Sequence, residues 1–341
     1  MAVTCGGQYD EALERFHRTG PEFEGWLSNH GPMAVEAMAR RGSAGDIHSW
    51  CDRCVARLDD RPRGIETIDE EGWRDPLGDP VRTGDWLNFF DRAVRQRPWQ
   101  ETLATWWPRL LPGIAAGATH GVIRVGHAVS ALQNAETHRG WLNWVRHWPT
   151  GQPDGSRSVC RPCAETSVSD RHGPLFRLSV TSDSGSDTAC RSWRRPWVGA
   201  MRSALCARHH ETGFRALSTL VATSLEHCAT EAHSDPTMLV HACTAPNAVA
   251  TVLPSLPRNQ WEPSYRAVWA ATAAVVAAYR PPAPIAAVTL PSPDPGDLLD
   301  AAMATRSEHA IKLVDTALRA HERCQGPEPL VAGWTAVQKE A

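Results

Sequence analysis

Lysine is nearly missing from this chain. Of its 35 basic residues only Lys312 and Lys339 are lysines, and every other cation is an arginine. Lys339 falls in the C-terminal tail, where solvated charge is sufficient reason for it. Lys312 lies in the middle of a helical stretch, Ser307-Glu308-His309-Ala310-Ile311-Lys312-Leu313. A lysine amine can lose its proton and act as a base, as a nucleophile or, after reacting with carbon dioxide, as a metal-binding carbamate; a guanidinium can do none of these. Arginine-rich coding with a lysine retained by accident accounts for the same observation.

Other scarcities narrow the function. A net charge of −3 offers no electrostatic footing for nucleic acid or an anionic membrane. The first ten residues show no basic stretch followed by an apolar core, so no secretion signal is expected. The most apolar run, Ala267 to Ala278, is too short to span a bilayer. A cytosolic protein is the expectation. There is no His-Glu-x-x-His, no pair of Glu-x-x-His motifs, no Gly-x-Ser-x-Gly elbow, no Gly-x-Gly-x-x-Gly turn and no Walker loop. A Rossmann-type nicotinamide or flavin domain is therefore unsupported. Period-2 patterns are scarce too, with Leu175 to Thr181 the one strand candidate.

Cysteine and tryptophan, in contrast, are plentiful. The ten cysteines of a cytosolic chain are expected as free thiols. Two pairs have metal-like spacing, Cys51-Asp-Arg-Cys54 and Cys160-Arg-Pro-Cys163, but about 105 residues separate them, far more than a compact zinc module uses. Fifteen tryptophans against three tyrosines suit core packing and also pockets for flat aromatic ligands.

Helical periodicity dominates the rest. Helices are expected at Tyr9–Thr19, Pro32–Arg41, Asp46–Leu58, Asp85–Arg95 and Gln100–Leu111, and from Ile114 to about Trp148. Further helices are expected at Arg202–Cys228, Pro236–Leu253 and Glu262–Tyr279, with a last one over roughly 297–324 opened by Asp294, Pro295 and Asp297. Residues 150–195 read as an irregular polar excursion, and 281–295, with six prolines, as a stiff connector. The sum is an all-α protein, a single multi-helix domain over 1–341 with a buried site between helices.

A few histidines stand apart from the polar, surface-type ones. His30 precedes a helix start, whose positive end favours a neutral ring. His120 and His127 share a helix face at i, i+7, roughly 10 Å apart along the axis, too far to share one ion in a regular helix. His120, among Gly117, Ala118 and Gly121, is the better ligand, which leaves His127 beside the site or facing substrate. Arg124, one turn from both, could hold a phenolate or quinone oxygen, or be an ordinary ion-pair residue. His241 sits in the apolar run Met238 to Thr244 and must be buried with a partner. His309 and Lys312, at i and i+3, share a face. Apolar Ile311, Leu313 and Val314 around Lys312 would lower its pKa on burial.

Taken in order, Gly20-Pro-Glu-Phe-Glu-Gly-Trp-Leu-Ser-Asn-His-Gly-Pro-Met33, Trp106-Trp-Pro-Arg-Leu-Leu-Pro-Gly113, Ala116-Gly-Ala-Thr-His-Gly-Val-Ile-Arg-Val-Gly-His127, Val240-His-Ala-Cys-Thr-Ala-Pro246 and His309-Ala-Ile-Lys312 resemble the questin oxidase-like family. Residues 150–195 and both Cys-x-x-Cys pairs have no counterpart in it. The resemblance implies an oxygenase that uses dioxygen to open a ring of, or insert oxygen into, an aromatic polyketide such as an anthraquinone, in secondary metabolism. It implies a non-haem Fe(II) site with His30, His120, His241 and His309 as ligands and Lys312 as a carbamate, His127 being the reserve ligand. Two other readings compete: an NADPH-linked, metal-free Baeyer–Villiger-type oxygenase, and a non-catalytic, zinc-stabilised helical binding protein. The oligomeric state is not written in the sequence.

Overall fold

The computed structural model describes residues 5–24, 27–43, 47–133, 210–231, 236–279, 289–292, 294–324 and 326–340, together with 165–166, 178–179, 281 and 283. Twelve helices make up nearly all of it: α1 Cys5–His17, α2 Gly31–Arg40, α3 Ile47–Val55, α4 Thr83–Gln96, α5 Trp99–Leu110, α6 His120–Gln133, α7 His210–Glu231, α8 Pro236–Val252, α9 Trp261–Tyr279, α10 Pro295–Thr305, α11 Glu308–Cys324 and α12 Glu328–Glu340. The fold is all-α, as expected. Its only strands among the described residues form two short antiparallel pairs, β1 Glu22–Phe23 with β2 Leu27–Ser28, and β3 Glu165–Thr166 with β4 Leu178–Ser179. The strand candidate at Leu175–Thr181 survives as β4; its other residues, the Cys160–Cys163 pair and most of 150–195 lie outside the described residues.

Apolar residues dictate the centre. Helix α8 is apolar nearly all round and buried from Leu239 to Ala250. It packs against α6, α7, α9 and α11, as a helix with no polar face must. Its contact with α6 is close: a Cβ placed on Gly126 would stand 2.4 Å from the Ala248 Cβ. Another glycine sets the α1–α2 approach, where a Cβ on Gly31 would fall 2.2 Å from the Phe16 ring.

Aromatic residues fill the flank beside α4 and α5. Trp73, Trp86, Phe89, Phe90 and Trp106 meet mostly edge to face, with centroids 4.9–6.0 Å apart, the arrangement favoured by ring quadrupoles. Trp86 and Trp106 thus serve packing. Cys51 and Cys54 lie on α3 in the same core, and burial pushes their thiols up to about 11 and about 12.

Three expectations need correction. The helix foreseen over 297–324 is two helices, α10 and α11. Arg306 between them is left-handed at φ 60°, and the Ser307 Oγ accepts from the Ala310 N–H, so a cap restarts the chain. Lys339 is not in a loose tail but in the last turn of α12, whose Leu330, Trp334 and Val337 pack on Leu298, Val314 and Leu318. Finally, the stretch from Ile114 is not one helix. One short 3-10 turn, Ala116–Thr119, precedes α6, which starts only at His120, and residues 134–148 lie outside those described.

Candidate metal centre

Four histidine rings from four separate stretches of chain meet between the helices, His30 and His241 buried and His120 and His309 half-buried. His30 ends the loop after β2 and precedes α2; His120 is the first residue of α6; His241 is inside α8; His309 is in the first turn of α11. Ring centroids lie 4.7 Å apart for His30 and His120, 4.6 Å for His30 and His309, 4.4 Å for His120 and His241, and 5.5 Å for His241 and His309. The Nε2 atoms of His30 and His120 approach to 2.6 Å. One nitrogen from each of His30, His241 and His309 lies within 4.8 Å of the others.

The backbone aims these rings at some cost. Gly117, Ala118 and Thr119 are all left-handed, with φ of 54°, 52° and 66°. Two are not glycine and one is β-branched, for which this region is strained. The turn delivers His120 to the cluster while its Nδ1 engages the Gly117 carbonyl. On the His30 side, the β1–β2 hairpin is tied down by Arg124, whose Nη2 donates to the carbonyls of Pro21 at 3.3 Å and Asn29 at 2.9 Å and to Ser28 Oγ at 3.1 Å. The structure therefore employs Arg124 to hold the loop that carries His30. Asn29 assists, accepting from the Gly31 N–H at 2.9 Å.

Electrostatics keep the rings neutral. Burial, then Lys312 and the neighbouring rings, hold the His30 imidazole well below its ordinary value. Burial and Lys312 lower His309 to about 3. His120 and His241 are depressed mainly by burial. Lys312 is fully buried, and desolvation lowers its amine to about 7 against an opposing pull from Glu308. Both ring nitrogens of His241, Nε2 of His309 and Nζ of Lys312 are buried with no hydrogen-bond partner.

An unsatisfied buried polar atom costs about 1–3 kcal/mol, so a cluster of four demands a reason. Imidazole lone pairs with a neutral or carbamylated amine are a donor set for a first-row divalent cation, and these residues fit one. His127 sits elsewhere. Its Nδ1 bonds Glu36 Oε2 at 2.7 Å, in a buried polar group containing Ser130, Asp315 and Arg319 that sequence reasoning missed. No metal-like group among the described residues includes a cysteine.

Among known proteins, no curated protein and no solved structure matches this chain. A family model does match, over residues 27–137, and its description is Questin oxidase-like. That stretch contains His30, His120, Arg124 and His127; His241, His309 and Lys312 lie beyond it. Over those residues the chain is similar to a family whose description names an oxidase.

Proposed function

We propose that this protein is a non-haem, iron(II)-dependent oxygenase acting on an aromatic polyketide of the hydroxylated quinone or phenol class. The observation that carries the reading is the convergence of His30, His120, His241 and His309 around unpartnered nitrogens, with Lys312 Nζ buried beside them. Four neutral imidazoles suit iron, manganese or zinc; the oxidative family is the reason to choose iron. When bound, iron supplies the electron chemistry that lets dioxygen react with a spin-paired aromatic ring.

The chain's own residues do the remainder. The rings stay unprotonated at neutral pH, so their lone pairs are available without a proton being displaced. Lys312, poised near pH 7, has enough neutral amine to add through nitrogen to the carbon of carbon dioxide and release a proton. The resulting carbamate would bring the one anionic oxygen to a set of neutral donors. Burial of His30, His241 and Lys312 strengthens the charge interactions among them.

Elemental analysis of the full-length protein together with oxygen uptake on a hydroxyanthraquinone, with and without NADPH, tests the reading. Iron bound per chain, lost with activity in His241→Ala, is the expected result. Metal-free protein that consumes oxygen only with NADPH would refute it.

A further inference from the structure

The three helices that begin at the histidine cluster meet again farther along. Glu36 lies six residues after His30, His127 seven after His120, and Asp315 six after His309. At about 1.5 Å per residue, each is roughly 9–10 Å down its helix from the ring layer. Both layers join the same three helices, so α6 and α11 each run alongside α2 in one direction.

The second layer is a hydrogen-bonded and ion-paired network. Glu36 Oε2 pairs with His127 Nδ1, and Glu36 Oε1 accepts from Ser130 Oγ, both at 2.7 Å. Arg319 donates through Nη2 to Ser130 Oγ at 2.7 Å and through Nε to Asp315 Oδ2 at 2.8 Å. Arg40, the last residue of α2, and Arg41, which caps it, reach across to Asp315, the latter at 3.2 Å. Every link except Arg319–Asp315, which lies within α11, joins one helix to another. Glu36, His127, Asp315 and Ser130 are all buried. Although Glu36, His127 and Asp315 have a spacing a metal could use, three guanidiniums already engage the two carboxylates, which leaves no charge for a cation to neutralise.

We propose that Glu36, Ser130, Arg319 and Asp315 are positioning residues that set the axial register of α2, α6 and α11, and through it the spacing of His30, His120 and His309. The inference rests on the metal-centre reading above. Hydrogen bonds of this kind have defined lengths and directions, so each one fixes the offset between the two segments that it joins. A slip of one helix by one residue moves its histidine by about 1.5 Å, enough to spoil coordination that tolerates only a few tenths of an ångström.

Cobalt(II) titration of the metal-stripped full-length protein, followed by its d–d absorption, tests this. Ser130→Ala removes one hydroxyl that bridges Glu36 and Arg319; Arg319→Ala removes the link from α11 to Ser130 and Glu36 and leaves Asp315 with Arg40 and Arg41. Leu103→Ala, a core truncation on α5, which bears none of the histidines, is the control for lost stability. Both network variants should bind cobalt at least roughly tenfold more weakly with altered d–d bands, while Leu103→Ala keeps the wild-type affinity and bands at a comparable loss of melting temperature. Should Arg319→Ala fail to fold, Ser130→Ala decides alone. Wild-type affinity and bands in Ser130→Ala, or equal losses in Leu103→Ala, overturn the inference. Wild-type protein that takes up no cobalt, iron, manganese or zinc overturns the metal-centre reading itself.

Discussion

His30 and His120 stand 90 residues apart in the chain, yet their Nε2 atoms lie 2.6 Å from each other. Neither ring has an apolar reason to be there. What brings them together is the packing of α2 on α6 and the strained turn before His120. What keeps them neutral is burial beside Lys312.

Lys312 gives the sharpest test, because fold and function predict opposite signs. Its amine is buried without a hydrogen-bond partner, so Lys312→Met should stabilise the metal-free protein by about 1–3 kcal/mol. The same variant should lose metal and oxygen uptake. Thermal melting of stripped protein beside metal analysis reads both. Unchanged metal content would show that the amine is no part of the centre.

Close helix approach makes a second prediction. Gly126→Ala sets a methyl 2.4 Å from the Ala248 Cβ, so α6 and α8 must separate. A cost of about 1–3 kcal/mol is expected, with weaker metal binding because His120 and His241 ride on those helices. Denaturant unfolding and a metal titration check it.

The turn before α6 predicts a gain. Ala118→Gly at φ 52° relieves a conformation that costs an alanine about 1 kcal/mol, and should raise the midpoint of chemical denaturation. Activity should fall or hold, since the same turn directs His120. A loss of stability would mean that Ala118 makes contacts worth more than the strain.

Acid should act twice. Each buried ring has a folded value below its unfolded 6.5. The unfolded chain therefore binds protons first as the pH falls through 6.5, and stability declines by about 1.4 kcal/mol per pH unit for each ring involved. Glu36 adds a later loss. Its hydrogen bond from His127 and the charge of Arg319 outweigh burial and depress its carboxyl, so its contribution is full above 4.5 and disappears as the pH drops towards about 2. Urea midpoints of metal-free protein between pH 8 and pH 4 (about one unit apart) should trace the first decline, and loaded protein should resist it. A flat profile across pH 6.5 would refute the neutral-ring assignment.

Local signals carried much of the architecture. Proline after His30, the Asp294-Pro295 start and the apolar run of α8 marked their helices within a few residues. The rings named from the resemblance do come together, and residue spacing had already separated His120 from His127. Less legible was anything that depends on partners far away in sequence. Arg124 could be read as a substrate-holding or an ion-pair residue, and neither reading points to the hairpin carbonyls that it binds. Glu36 and Asp315 look like ordinary surface charges on their helices, because nothing within a few residues reveals that Arg40, Arg41 and Arg319 converge on them. The Ser307 cap was readable, but the unbroken helical pattern around it hid it; the turn at Ala118–Thr119 carries no residue that advertises positive φ.

The placement of the four rings has a topological corollary. Two belong to the chain before Gln133 and two to the chain after His210, so cutting the polypeptide anywhere between would leave each fragment with only half the donors. An ion gripped by all four is then a clasp between the early and late parts of the protein, and its removal should be felt as a weakened allegiance of the two fragments to one another.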